Sequence, residues 1–133
     1  MTQTFSYELT ILEHHLDTFG HVNNAKYLEI FEQARWELIT KNGFGMKEVF
    51  IKKIGPVILD LQCRFKKELK LREKIRVDTT TISYEKKIGK LSQKIFNSQN
   101  EICCEAEFTI ALWDTVQRKL IAPTPEWLKA IGV

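Results

Sequence analysis

A single stretch of helical periodicity lies among five stretches that alternate between apolar and polar residues. Residues 25–41 place apolar side chains on a stripe at helical spacing, and further apolar positions widen the stripe, which indicates a helix covered on several sides. The alternating stretches are typical of half-buried strands and comprise residues 5–11, 57–65, 74–84, 91–97 and 102–113. One helix cannot cover a flat sheet of five strands, so we expect the sheet to curl around it.

Local signals mark the ends of the helices. Asn23 or Asn24 suits the N-cap of the long helix, because a short side-chain oxygen can accept an otherwise unpaired backbone N–H. Asn42-Gly43 is expected to end that helix. Near the end of the sequence, Thr124 followed by Pro125 predicts a short second helix, with proline at its first position.

The strands predict the sheet's connectivity and one irregularity. Short turns between the last four strands favour antiparallel neighbours. Residues 57, 59, 61, 63 and 65 are predicted to share one face of their strand, and the apolar parity switches between Val77 and Ile82, which predicts a bulge. The expected fold class is α+β, a curved antiparallel five-stranded sheet wrapped around one long helix, with residues 1–133 forming one domain.

Composition narrows the functional classes. Of the 133 residues, 44% are hydrophobic, and no apolar run approaches the length that spans a bilayer, so we expect no membrane insertion. A net charge of +3 is too weak to indicate nucleic-acid binding. The start of the chain lacks the pattern of a secretory signal, and Cys103 and Cys104 are neighbours that cannot form an unstrained bridge. A cytoplasmic protein with three reduced cysteines is therefore expected.

The densest cluster of chemically versatile residues, Asp17 to Tyr27, lies where a loop enters the long helix. The first N–H groups of a helix are unpaired and carry the positive end of the helix dipole, so they can stabilise a developing oxyanion. Asp17, just upstream, suits a base or a nucleophile, and Gly20 allows a tight turn. The alternative is that Asp17 only shapes the turn, as aspartates before helices commonly do.

The segment DTFGHVNNAKYLEIFEQAR, residues 17–35, resembles the signature of hotdog-fold acyl-CoA thioesterases of the 4-hydroxybenzoyl-CoA thioesterase-like superfamily. Its HVNNAKYLE part resembles the fatty acyl-CoA thioesterase branch and plant acyl-ACP thioesterases. The resemblance implies a hotdog fold and an enzyme that hydrolyses medium- or long-chain acyl-CoA to free acid and CoA. An aryl-CoA or acyl-ACP thioesterase and a non-catalytic acyl-CoA-binding module remain as alternatives.

The same resemblance implies roles for single residues. Asp17 would be the catalytic carboxylate, which either attacks the thioester directly or activates water, and Asn24 would offer its backbone N–H to the thioester carbonyl. Glu13 stands where some relatives carry a tyrosine. The candidate substrate-binding residues in this segment are Gly20, His21, Asn23 and Tyr27. Structural roles compete with these: Asn23 as a cap, Tyr27 as a packing residue and His21 as a partner of loop backbone.

No metal or other cofactor is expected. His14, His15 and His21 lie close in sequence, but no further cysteine or carboxylate completes a standard ligand spacing. Glu32 lies on the flank of the long helix, three residues before Arg35, a spacing that suits an ion pair. The aromatic residues expected to line an acyl pocket are Phe31, Trp36, Phe65, Phe108 and Trp113.

Residues 64–76 concentrate positive charge, with seven basic and two acidic side chains. Arg64 and Lys66 share a parity and are predicted to bind the phosphates of CoA from one face. The competing interpretation is a solvated strand edge, where lysines discourage aggregation. The resemblance also implies a homodimer joined sheet edge to sheet edge, and a homotetramer of two such dimers, with Asp17 of one subunit facing strand residues of the other.

Overall fold

The order of strands and α-helices follows the periodicities, with two additions. The computed structural model describes residues 2–133. The strands are β1 (Thr4–Thr10), β2 (Ile54–Phe65), β3 (Lys74–Glu85), β4 (Ile88–Phe96), β5 (Ile102–Asp114) and β6 (Lys119–Ile121). The helices are α1 (Asn24–Lys41), α2 (Met46–Lys52) and α3 (Pro125–Ala130). The expected five-stranded sheet therefore has a sixth strand, and α2 was not predicted. Both are too short to show a period in sequence.

All strand pairs are antiparallel, in the order β1-β3-β4-β5-β2, and β6 pairs with the end of β5. The two long edges of the sheet are therefore β1 and β2. Helix α1 lies on one face, where Phe31 meets Phe108 of β5 edge to face at 5.7 Å. This is the predicted arrangement of one long helix packed against an antiparallel sheet.

Helix α1 begins and ends where its caps predict. The Asn23 side chain accepts the Ala25 N–H at the N-cap, Asn42 is the C-cap, and Gly43 follows with φ +90°. At about 1.5 Å per residue its 18 residues span about 27 Å. Ile30 and Ile39 are both buried, which confirms that the helix is covered beyond a single stripe.

Two bulges reset the alternation of the strands. The register of β3 against β4 shifts between Thr81 and Ser83, so the predicted bulge is confirmed. In β2 the register shifts between Ile58 and Asp60, and the single alternation predicted for residues 57–65 is wrong. Ile58 pairs with Ile110 and faces the helix side of the sheet. The sequence hides this shift because Ile58 and the extra residue of the bulge, Leu59, are both apolar.

Helix α3 closes one end of the molecule. Thr124 caps it, as predicted, by accepting the N–H of Trp127. The Trp127 ring packs edge to face on Phe44 at 5.4 Å, and its indole N–H donates to the Tyr84 hydroxyl at 3.1 Å. Trp127 is fully buried, so this helix completes the core beneath the C-terminal half of α1.

The three cysteines are free thiols, with Cys103 and Cys104 buried and Cys63 half-buried. The Sγ atoms of Cys63 and Cys104 lie 3.5 Å apart across β2 and β5. None of the helices within residues 2–133 has the length and hydropathy needed to cross a bilayer.

Candidate active site

The loop that carries Asp17 is held closed by its own backbone. Leu16 and Val22 form an antiparallel bridge, and between them the Asp17 N–H donates to the His21 carbonyl at 2.7 Å. Gly20 turns the chain with φ +79°, a conformation that disfavours residues with a Cβ. The Asn23 N–H donates to the carbonyl of buried His15 at 3.1 Å, which fixes the loop against the start of α1.

The Asp17 carboxylate is fixed through one of its two oxygens. Oδ1 accepts the backbone N–H of Phe19 at 2.8 Å and that of His21 at 3.2 Å. No hydrogen bond among residues 2–133 uses Oδ2, and the side chain is half-buried. Asp17 is thus a turn former, as the alternative interpretation holds, and it also presents one free carboxylate oxygen in a fixed orientation.

The start of α1 leaves one backbone donor free. The N–H of Ala25 is shared by the side-chain oxygens of Asn23 at 2.9 Å and Asn24 at 2.8 Å. The N–H of Asn24 has no acceptor within the described chain. A free N–H in the first turn of an 18-residue helix can receive negative charge on a carbonyl oxygen.

An open cleft of about 310 Å³ separates this helix start from the end of β2. Within the cleft the Tyr27 ring of α1 meets Phe65 of β2 edge to face at 5.2 Å, and His21 Nε2 lies 3.0 Å from Glu68 Oε2. Burial raises the pKa of Tyr27 to about 12, so its hydroxyl is neutral at physiological pH. The remaining residues of the walls are Val22, Asn24, Lys66 and Lys67.

The cleft brings together some of the predicted site residues and leaves others apart. Those that line it are His21, Asn24, Tyr27 and Lys66. The residues that do not line it are Asp17, Gly20, Asn23 and Arg64. Asp17 is nevertheless tied to the cleft wall by its two hydrogen bonds with the backbone of His21. Asn23 serves as the cap of α1, the structural role weighed against substrate contact.

Arg64 and Lys66 share the outer face of the sheet, as predicted. Arg64 pairs with Glu105 across β2 and β5, and Lys66 Nζ lies 3.0 Å from Glu105 Oε1. This hydrogen bond, with the nearby charges of Lys66, Lys94 and Arg64, lowers the pKa of Glu105. Arg64 also lines a polar groove of about 220 Å³ on this face, together with Lys94.

Ion pairs neutralise part of the basic segment 64–76. Besides Lys66, three of its cations are paired with carboxylates elsewhere in the chain. These pairs are Lys67 with Glu101, Arg72 with Glu13, and Arg76 with Asp78. Glu13, at the position where some relatives carry a tyrosine, therefore holds Arg72. The concentration of charge seen in the sequence overstates the net charge that this surface offers a ligand.

A second, smaller cavity lies between the C-terminal half of α1 and the sheet. Its volume is about 100 Å³, and its walls include Glu32, Arg35 and Trp36 from α1 and Ile58 from β2. Of the aromatic residues expected in an acyl pocket, Trp36 lines this cavity and Phe65 lines the cleft. Phe31 and Phe108 belong to the core, and Trp113 lies under Arg118.

Three features of the site were not predicted from sequence. Arg35 forms no ion pair with Glu32, and its Nη1 instead donates to Oε1 of Gln93 at 2.9 Å. Gln93 is fully buried in the middle of β4, a position where alternation alone suggests an apolar residue. Phe19 stands 83% exposed beside Asp17, and its apolar type in a loop is the one signal that marks it. No cluster of three or more potential metal ligands occurs within residues 2–133.

Comparison with known proteins finds the same fold and a matching family. The family model described as the thioesterase-like superfamily matches residues 12–131. The long-chain acyl-CoA thioesterase FadM of Escherichia coli (strain K12) is 26% identical over 116 residues, which are 86% of this chain and 87% of that protein.

Two solved structures show how closely the fold is shared. The protein SAV2348 from Staphylococcus aureus, in complex with CoA, superposes with a TM-score of 0.90 at 18% identity, covering 98% of this chain and 83% of that one. The DHNA-CoA thioesterase from Staphylococcus aureus superposes with a TM-score of 0.85 at 24% identity, covering 96% and 87%. The fold expected from the resemblance is therefore confirmed.

Proposed function

Because this chain belongs to the thioesterase-like superfamily and is a thioester-hydrolysing enzyme, we propose that it cleaves acyl-CoA thioesters to a free acid and CoA, with Asp17 and Asn24 at the reacting carbonyl. The observation that carries this proposal is the fixed carboxylate of Asp17, with Oδ2 free, on the loop that leads into the free N–H of Asn24. Hydrolysis of a thioester needs both a group that attacks or activates water and a donor for the oxyanion.

The chemistry assigns a part to each group. The thioester oxygen accepts the Asn24 N–H, and the dipole of α1 favours the negative charge that develops there. Asp17 either removes a proton from water as the water adds to the carbonyl carbon, or adds to that carbon itself and is released by water in a second step. In both routes the carbon–sulfur bond breaks, and the CoA thiolate leaves and takes up a proton.

The cleft walls suit the part of the substrate next to the thioester. Tyr27 and Phe65 offer apolar contact, while His21, Glu68 and Lys66 are polar groups at the rim. The CoA phosphates would contact the outer face near Arg64, beside the polar groove that it shares with Lys94. Gly20 contributes through the turn that aims the loop rather than through a side chain.

The site is completed in a homodimer joined at the free edge of β2. That edge exposes apolar side chains, including Ile58 at 39%, Leu61 at 38% and Phe65 at 53%. Exposed apolar strand edges are sites of strand-to-strand pairing. Antiparallel pairing of two β2 strands sets the Phe65 end of one copy beside the Ile58 end of the other. The cleft of one chain then meets the small cavity of its partner, and Asp17 faces a second subunit.

The proposal extends to assembly and location. An exposed apolar patch on α2, formed by Met46, Phe50 and Ile51, offers a second contact through which two dimers would form a homotetramer.

Three free cysteines favour a reducing compartment, which supports a cytoplasmic location.

Medium- or long-chain acyl groups are the first proposed substrates, supported by the similarity to FadM. Aryl-CoA is the second candidate, because Tyr27 and Phe65 give the cleft two aromatic rings and because the DHNA-CoA thioesterase from Staphylococcus aureus has this fold. The test is release of free thiol from a panel of acyl-CoA esters of increasing length, with one aryl-CoA ester and one acyl-ACP included. Tight binding of acyl-CoA without thiol release would instead establish a non-catalytic binding module.

The dimer is tested separately with Leu61→Lys, which places a charge on the free β2 edge without touching Asp17 or Asn24. Sedimentation should show a dimer or tetramer for the wild type and a smaller species for the variant, together with a loss of thiol release. Ile82→Lys, at an apolar position of β3 that is more exposed than Leu61, is the control and should leave assembly unchanged. A fully active monomer would refute the two-chain site.

A further inference from the structure

The small cavity beneath α1 combines apolar walls with one guanidinium. Trp36, Trp127, Ile110 and Leu91 supply much of its apolar surface, and Arg35 reaches it from the helix. A volume of about 100 Å³ corresponds to roughly three water-sized groups. The cavity can therefore hold only the last few atoms of a larger molecule.

Arg35 is held in place from several sides. Its Nη1 donates to Gln93 Oε1 at 2.9 Å, and its guanidinium carbon lies 4.4 Å from the centre of the Phe108 ring. Gln93 is itself fixed, because its Nε2 donates to the Phe31 carbonyl at 3.1 Å and to the Thr79 hydroxyl at 2.9 Å. Both Gln93 and Thr79 are buried, so the support is rigid.

The guanidinium has spare donors and no carboxylate in contact. An arginine side chain carries five N–H groups, and a buried arginine normally forms an ion pair. Within residues 2–133 no ion pair includes Arg35, although Glu32 is near enough to favour its charged form. Burial lowers the pKa of Arg35 to about 10, which still leaves it charged at neutral pH.

We propose that this cavity receives the far end of the acyl group and that Arg35 selects acyl groups that carry an oxygen there. The oxygen accepts a hydrogen bond from the guanidinium. A plain methyl end would bury the spare N–H groups without an acceptor, which is unfavourable. The charges of Glu32 and Arg35 cancel, so the cavity offers no net positive charge to a carboxylate. A terminal hydroxyl fits better, because it can accept a hydrogen bond from Arg35 and donate one toward Glu32.

This inference rests on the proposed function, since the acyl group reaches the cavity from the catalytic loop of the second copy. Ile58 lines the cavity and lies on the free β2 edge, so the cavity opens where that copy pairs. The thioester lies at the loop of one chain, and the acyl end lies under α1 of the other. The specificity residue and the catalytic carboxylate of one reaction thus belong to different subunits.

The test compares CoA thioesters matched in length that end in a methyl, a hydroxyl or a carboxylate. For the wild type we expect kcat/KM for the ω-hydroxyacyl ester to exceed that for the plain acyl ester by about 10-fold. Arg35→Met should lower this ratio to about 1, because the hydroxyl end then has no guanidinium to bind. A merely structural role for Arg35 would lower kcat/KM for all esters together and leave the ratio unchanged.

If Arg35→Met does not fold, Glu32→Gln provides a second test. Glu32 is exposed, so this substitution should not disturb folding. Removing its charge should raise kcat/KM for the ω-carboxyacyl ester relative to the ω-hydroxyacyl ester by about 3-fold. Glu37→Gln, an exposed glutamate on the same helix outside the cavity, is the matched control and should change no ratio.

The outcomes separate the two proposals. If plain acyl esters are hydrolysed as fast as ω-hydroxyacyl esters and Glu32→Gln changes no ratio, the role of Arg35 is refuted while thioester hydrolysis stands. If no CoA ester of any kind is hydrolysed, the proposed function fails and this inference fails with it.

Discussion

Gln93→Met removes three hydrogen bonds from the core while nearly preserving side-chain volume. Gln93 is fully buried, donates to the Phe31 carbonyl and the Thr79 hydroxyl, and accepts from the charged Arg35. Neutral hydrogen bonds contribute about 1 kcal/mol each and a bond to a charged group about 2 kcal/mol, whereas the methionine regains part of this by apolar burial. We expect the free energy of unfolding to fall by about 3 kcal/mol, or about 10 °C in Tm.

Urea denaturation followed by tryptophan fluorescence measures this change, at one protein concentration because assembly also stabilises the fold. The control is Gln33→Met, which removes an exposed hydrogen bond of 2.7 Å from Gln33 to the Tyr7 hydroxyl. We expect the control to cost less than about 1 kcal/mol. Equal losses for the two variants would refute the account of a buried network that holds Arg35.

Two further predictions concern the loop that carries Asp17. Burial lowers the pKa of His15, whose Nδ1 accepts the Leu12 N–H at 2.9 Å, so folding favours the neutral imidazole. The free energy of unfolding is then highest above about pH 6.5 and falls as the pH drops below that value, by at most about 1.4 kcal/mol per pH unit. Denaturation curves measured at several pH values should show that His15→Asn reduces this dependence. Gly20→Ala should cost about 1–2 kcal/mol through φ +79° alone, since no atom lies within 4 Å of the added Cβ, and should lower thiol release. Gly43→Ala, where φ is +90° and the added Cβ again meets no atom within 4 Å, is the control: it should lower stability equally and leave activity unchanged. A stability that does not depend on pH would contradict the first prediction. Equal activity of the two alanine variants would contradict the second.

Features that depend on local sequence were predictable. The caps at Asn23 and Thr124, the stop at Asn42-Gly43 and the bulge in β3 follow from the chemistry of a few neighbouring residues. The packing of one long helix against an antiparallel sheet followed from the periods of the segments together. Helix α2 and strand β6 were not predicted, because seven and three residues are too few to establish a period.

Features that depend on tertiary contact were not predictable. The bulge in β2 adds Leu59 directly after Ile58, and because both residues are apolar the alternation gives no sign that Ile58 turns toward the helix. Arg35 was expected to pair with Glu32 along the helix, but the fully buried Gln93 competes for it from across the core. The charges of segment 64–76 were visible in sequence, but their partners, such as Glu13 and Glu101, are distant along the chain.

The catalytic role of Asp17 can be separated from its structural role, because the chain contains a second aspartate whose Oδ1 also accepts two backbone N–H groups of a turn. Asp114 Oδ1 accepts the N–H of Val116 at 2.9 Å and that of Gln117 at 2.8 Å in the turn after β5, as Asp17 Oδ1 accepts two N–H groups in its own loop. The measurement is the single-turnover rate of thiol release from one bound acyl-CoA by Asp17→Asn and Asp114→Asn. We predict that Asp17→Asn lowers the rate by about 10²- to 10⁴-fold while acyl-CoA still binds, and that Asp114→Asn stays near the wild-type rate. Equal rates for the two variants would contradict catalysis by the Asp17 carboxylate.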